Sequence, residues 1–194
     1  MHNLASLPTA ASTATPTRRR RARQAPVVAP TPVATPVAEP IVRLASLADV
    51  PQIVALVNGF AEQGLMLSRT ANDVMRELTN YVVAATPSGR VLACAALTEY
   101  SPSLAEVSSV AVSEDAHGQG LGTRVVLAVE RVARLRDIAE VFALSLSDRF
   151  FTGLGYDIVP LEHYPEKIAR YDRMRAEGRT VVEKRCFRKV LATA

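Results

Sequence analysis

The sequence predicts an α/β (α+β) domain built on a mixed, mostly antiparallel sheet with helices on both faces. Three observations carry that class. Strand-like segments follow one another between residues 81 and 112 with no helix between them, the mark of a meander. A glycine-rich loop and a long amphipathic helix then lead to another apolar strand, a crossover that gives the sheet a parallel pair. The helical segments carry apolar residues at 3.6-residue spacing, so each has one face to bury.

The elements follow in order. Ile41–Leu44 begins ordered structure as a strand. Asp49 is a plausible N-cap with Pro51 in the first turn, and Ile53, Leu56, Val57 and Phe60 recur at helical spacing up to Gly64. Thr70 with Asp73 forms a capping-box pattern and opens a second helix to about Thr79. Tyr81–Ala85 and Val91–Thr98 read as strands around the turn Pro87-Ser88-Gly89-Arg90, and Leu104–Val112 as the next. A helix from about Gly120 to Arg136 buries Leu121, Val125, Ala128/Val129, Val132 and Leu135 and turns Arg124, Arg131 and Arg134 outward. Glu140–Ser147 is an apolar strand buried on both faces. Asp148–Leu154 is a short helix closed by Gly155, Tyr156–Val159 a strand, Pro165–Ala176 a helix, and Val181–Val190 the last strand.

Charge is unevenly placed. Of 23 basic and 19 acidic residues, five Arg and Glu39 fall in residues 1–40, leaving eighteen of each for the rest. The folded part is therefore formally neutral, which argues against a nucleic-acid surface on the domain itself. Residues 1–40 hold seven of the twelve prolines and are read as a disordered basic tail. No apolar run approaches the ~20 residues of a membrane span, and no apolar core follows the Arg run as an export signal requires. Cys94 and Cys186 lie far apart in strand-like segments, without metal spacing, and fit buried structural roles in a reducing cytoplasm. No metal is expected.

The stretch His117-Gly118-Gln119-Gly120-Leu121-Gly122 joins a strand to a helix. A helix start offers unpaired N–H groups and partial positive charge, and glycines leave those N–H groups open to a phosphate. With Val110-Ala111-Val112 before it and Phe150-Phe151-Thr152-Gly153-Leu154-Gly155-Tyr156 after the next strand, the arrangement resembles the GNAT acetyltransferases over about residues 41–190. His117 departs from the family's usual Arg or Gln. The resemblance implies acetyl-CoA as donor, its pyrophosphate on residues 117 to 123 (His117, Gly118, Gln119, Gly120, Leu121, Gly122 and Thr123). It implies pantetheine paired with the backbone near Val112, and the thioester oxygen at the Val110 N–H.

Phe151 stands where many members place a proton-donating Tyr. Other stretches resemble the acetyltransferase domain of bacterial N-acetylglutamate synthases: residues 64–70, Ala93–Leu97, Ala105-Glu106-Val107, Phe142–Ser145, and Tyr164-Pro165-Glu166-Lys167 through Tyr171. That resemblance implies a short form lacking the preceding kinase-like domain, acting on L-glutamate. Glu106 is then the general base, set by period two on the face of Ser108 and Val110. Ser145 is the candidate donor to the CoA thiolate. Arg69, Lys167 and Arg170 are the candidate cations for the substrate carboxylates. The expected partner is a small amino acid, with homo-oligomerisation left open. Two alternatives stand beside this: a GNAT enzyme for another amine, and a non-catalytic acetyl-CoA-binding or nucleic-acid-tethered module.

Overall fold

The computed structural model describes residues 39–191, so the expectation for the tail lies, for residues 1–38, outside the described residues. Seven strands form one sheet: β1 (Ile41–Leu44), β2 (Tyr81–Ala85), β3 (Val91–Ser101), β4 (Leu104–Val112), β5 (Glu140–Ser145), β6 (Asp157–Val159) and β7 (Arg185–Val190). Their order is β1-β2-β3-β4-β5-β7-β6, and every neighbouring pair is antiparallel except β4–β5. That parallel pair is joined by the expected crossover through helix α3 (Leu121–Leu135). The mixed sheet predicted from the meander and the crossover is the sheet observed.

The helices divide between the faces. On one face Leu121, Val125, Val126, Val129 and Ala133 of α3 bury against Ala95, Leu97, Ala105 and Val141 of the sheet. On the other, Val50, Ile53 and Val57 of α1 (Val50–Glu62) and Val74 of α2 (Ala71–Arg76) cover Tyr81, Val83, Cys94, Ala96 and Ala111. A third cluster, Phe142 stacked on Tyr164 at 4.1 Å with Cys186 beside them, sits where α5 (Pro165–Ala176) begins. Cys94 and Cys186 are both buried and unpaired, and burial pushes each thiol up to about 12. Asp148–Gly153 forms α4, and Gly155 adopts φ +81° just beyond it, as a helix stop requires.

Local chemistry explains the element boundaries. Thr70 caps α2 through the Asp73 N–H at 3.1 Å, and Asp73 returns to the Thr70 N–H at 2.9 Å. Asp49 precedes α1 but does not cap it. Its carboxylate takes the Arg43 guanidinium at 2.7 and 2.9 Å and the Ser46 N–H at 2.7 Å, and is only 2% exposed. The Arg43 hydrogen bonds hold its carboxyl down to about 2 despite burial.

Five expectations are corrected. Leu135, the last residue of α3, is 80% exposed, and Ala133 is the last fully buried position of the helix. β3 continues to Ser101, and β5 stops at Ser145. The last strand begins at Arg185, so residues 181–184 leave the sheet. The fifth bears on the site. Ala96 pairs with Ser108 and Cys94 with Ala111, so Ser109 and Val110 together oppose the single residue Ala95. This is a β-bulge, with Ser109 at φ +52°. It shifts the alternation by one residue. Val110 and Val112 therefore pack with Val107 under α3, whereas Glu106 projects towards α5 on the opposite face.

Candidate active site

The parallel ladder between β4 and β5 is short. It joins Leu104, Ala105 and Glu106 to Glu140, Val141 and Phe142, and goes no further. Beyond it the strands part. A cavity of about 380 Å³ opens there, with Val107 to Val110 on one wall and Leu144 to Ser147 on the other. Its remaining walls come from α5, the segment between α1 and α2, and the irregular stretch before β7. Glu106, Val110, Ser145, Arg69, Lys167 and Arg170 all line it. The sequence places them on four different elements, and the fold brings all six to one cleft.

Glu106, expected as the general base, is fully engaged by polar partners. Lys167 Nζ donates to Glu106 Oε1 at 2.9 Å and Oε2 at 2.8 Å, and the Tyr100 hydroxyl donates to Oε2 at 3.0 Å. Both partners of the ion pair are nearly sealed from solvent, with side-chain exposures of 4% and 8%. Lys167 is thus held by Glu106 rather than free for a substrate. Burial pulls the Lys167 ammonium below its ordinary pKa, with Glu106 opposing the shift. Its Nζ also lies 4.6 Å from the centre of the Tyr171 ring, one helical turn further along α5. Arg170 stands between Lys167 and Tyr171 on the same cleft wall, with Tyr100 and Glu106 raising its pKa against desolvation.

Arg69 is positioned by its backbone. Asn58 of α1 donates to the Arg69 carbonyl at 3.0 Å and accepts its N–H at 2.9 Å. Ser145 Oγ accepts the Ser147 N–H at 3.0 Å, which leaves its own hydrogen uncommitted to that bond. Phe151 packs against Phe187 at 5.3 Å and edge-on to Tyr156 at 5.2 Å, filling the cleft floor with a ring that has no proton to give.

Sequence reasoning missed two cleft groups. Lys184 lines the cavity and donates to the Leu65 carbonyl at 2.6 Å; burial lowers its pKa. It was hidden by the expectation of a continuous strand from Val181. Tyr171 carried a signal, its i, i+4 spacing from Lys167 on one helix.

The glycine loop lies apart from these walls, at the start of α3. Arg124 N–H makes the bond to Gly120 O at 3.1 Å, so the N–H groups of Leu121, Gly122 and Thr123 precede the helical ladder. Gly118 and Gly120 have φ of +76° and +71°, and a Cβ at either would meet nothing within 4 Å. Gly122 is constrained differently: a Cβ there would come within 3.3 Å of the Phe150 ring and 3.4 Å of Val112. The exposed His117 ring contacts the Val112 carbonyl at 3.0 Å, and Gln119 donates to the Asp115 carbonyl at 3.3 Å. The open N–H groups at the head of a 15-residue helix fit an anionic ligand. The Val112 carbonyl is engaged by His117, and any strand-like partner there shares it or displaces that ring.

Comparison with known proteins agrees with this architecture. The chain is 36% identical over 129 residues to an uncharacterized N-acetyltransferase of Chlorobaculum tepidum, covering 66% of this chain and 83% of that one. It is 28% identical over 137 residues to an amino-acid acetyltransferase of Mannheimia succiniciproducens, covering 69% of this chain and 31% of that protein's length. Among solved structures, the N-acetylglutamate synthase of Neisseria gonorrhoeae, complexed with coenzyme A and N-acetyl-glutamate, superposes with a TM-score of 0.69 at 27% identity. That match covers 80% of this chain and 36% of the other. A Mycobacterium tuberculosis protein in complex with CoA gives 0.68 at 25% identity, over 79% of this chain and 100% of that one. Residues 55–156 match the family model for the acetyltransferase (GNAT) family, and the chain belongs to that family.

Proposed function

We propose that the protein transfers the acetyl group of acetyl-CoA to the α-amine of L-glutamate. The observation that carries the acceptor class is the charge of the cleft: Arg69, Lys167, Arg170 and Lys184 face it against the single carboxylate Glu106. A pocket with that excess of cations favours a dicarboxylate and disfavours neutral or cationic acceptors. The likeness to amino-acid acetyltransferases and to an N-acetylglutamate synthase supports the same reading.

The open N–H groups at the start of α3, with His117, Gly118, Gln119, Gly120, Leu121, Gly122 and Thr123 around them, are assigned to the donor's pyrophosphate. Val112 is assigned to its pantetheine arm, at the end of β4 just beyond the bulge. When bound, acetyl-CoA supplies an activated acetyl thioester. Every other step belongs to the chain's own residues. Glu106 takes a proton from the acceptor ammonium, which leaves a nitrogen lone pair for attack. The Val110 N–H, aimed by the bulge, holds the oxygen on which negative charge develops. As the carbon–nitrogen bond forms and the carbon–sulfur bond breaks, Ser145 gives its proton to the thiolate and takes in its place the second proton that the nitrogen sheds on becoming an amide.

Lys167 couples binding to this chemistry. Paired with Glu106, it keeps the base engaged. An incoming carboxylate competes for the ammonium, and Glu106 is freed as the substrate arrives. A neutral acceptor lacks that lever.

The test is initial-rate CoA release by the purified protein with acetyl-CoA and each of the twenty amino acids. Saturable release with L-glutamate is expected. Release only with another amine rejects the acceptor assignment, and no release with any amine rejects the enzyme in favour of a binding module.

A further inference from the structure

Beside the cleft lies a second cavity, of about 210 Å³, walled by Arg69, Arg170, Arg173 and Arg179 together with Glu177. Among the described residues no carboxylate lies within 4.0 Å of Arg69, Arg170 or Arg173; Arg179 alone is paired, with Glu177 at 2.7 Å. Four guanidiniums thus share a small space with one acid. Arg170 and Arg173 sit one turn apart on α5, where like charges repel. The helix dipole accounts for a cation in the last turn, where Arg173 lies, but not for Arg170 or for Arg69 across the cavity. An acceptor seated in the larger cleft, on Arg69, Lys167, Arg170 and Lys184, leaves Arg173 and Arg179 without a role.

We infer that this second cavity binds a small anion, a carboxylate or phosphate compound, through planar guanidinium forks suited to either group. Its volume of about 210 Å³ suits a small anion such as a phosphate or a four-carbon dicarboxylate. Leu67, Arg69 and Arg170 line both cavities. An occupant of the second therefore draws on guanidiniums that the acceptor also needs, and the two compete. The binding stands on the cavity alone; the competition rests on the acceptor reading given above.

Calorimetric titration of the full chain with inorganic phosphate and, separately, with succinate tests this, at constant ionic strength. At least one probe is expected to bind wild type, and which one identifies the source of the anion. In the double variant Arg173→Ala/Arg179→Ala, both exposed positions, its affinity is expected to fall about tenfold or more. Binding to Lys167→Met, altered only in the larger cleft, is expected to stay within about twofold. No heat with either probe, equal affinity in wild type and the double variant, or loss of binding in Lys167→Met overturns the site. The bound probe is expected to raise the KM for the acceptor in CoA-release assays. A KM indifferent to a probe that binds overturns the competition while leaving the site. Because the heats need no turnover, their failure is separable from failure of the proposed reaction.

Discussion

Glu106–Lys167 and Glu130–Lys189 are built to the same dimensions. In the first the ammonium donates to both carboxylate oxygens at 2.9 and 2.8 Å; in the second, at 2.8 and 2.8 Å. Both glutamates are buried. Their surroundings part them. Lys189 sends a third bond to the Leu154 carbonyl at 2.8 Å, and Glu130 also takes Arg134 at 3.2 Å from the next turn of α3. That satisfies all three ammonium donors and ties α3 to β7 and to the end of α4. Lys167 spends two donors on Glu106 and turns towards the Tyr171 ring and the open cleft. A fully bonded buried pair is a fixture, because separating it strands a charge away from water. A pair on the wall of a cavity, with a donor to spare, can exchange partners. Burial and distance alone do not distinguish structural from chemical ion pairs; the count of satisfied donors does.

The comparison predicts opposite effects for the same substitution. Glu106→Gln lowers kcat for CoA release by about 10²- to 10³-fold, the range of a lost general base. Its thermal midpoint stays within a few degrees of wild type, since the buried Lys167, its pKa already lowered, can give up its proton once unpaired. Equal losses of stability in the two variants would break the contrast. Glu130→Gln costs about 3 kcal/mol in urea denaturation, the scale for breaking a buried pair. Its kcat stays within about twofold once the protein is folded.

Asp49 sharpens the structural side. Arg43 and Ser46 depress its pKa to about 2 in the folded chain, below the ordinary 3.8. A depressed carboxyl stabilises the fold above the unfolded value, and that contribution drains away as pH falls from about 4 towards 2. Asp49→Asn is expected to remove about 2 kcal/mol at pH 7 and to flatten the decline in stability over that acid range. An unchanged acid titration of stability would show the pair with Arg43 to be idle.

The smallest effect is in the glycine loop. Gly120→Ala places a side chain at φ +71° with nothing nearby to clash, so only backbone strain of about 1 kcal/mol is expected. A loss of several kcal/mol in thermal unfolding would mean that the loop is packed rather than open.

Much of this was legible in the residues. The order of strands and helices followed from periodicity, and the capping box at Thr70 marked a real helix start. The segment from Tyr164 to Tyr171 pointed to one wall of the cleft, and the glycine loop to the head of α3. What failed had local or long-range causes. A bulge at one residue, Ser109, leaves no trace in an alternating run, yet it moves Val110 to the other face. The apolar stripe of α3 continues to Leu135 in sequence, but burial stops at Ala133 and the helix ends at Leu135, 80% exposed. The pairing of Glu106 with Lys167 spans 61 positions, and each residue taken alone suggested a separate task. Lys184 was misplaced because four residues of alternating pattern lie outside the sheet they imitate.

The account turns on Lys167 as the group that reads the acceptor's charge and releases Glu106 in response. The ratio of kcat/KM for L-glutamate over L-glutamine, a neutral isostere, measures this directly in wild type and in Lys167→Met. A preference of about tenfold or more for L-glutamate is predicted in wild type, the scale of one charge-assisted hydrogen bond, falling to within about threefold in the variant. A ratio that survives the substitution unchanged would contradict the account.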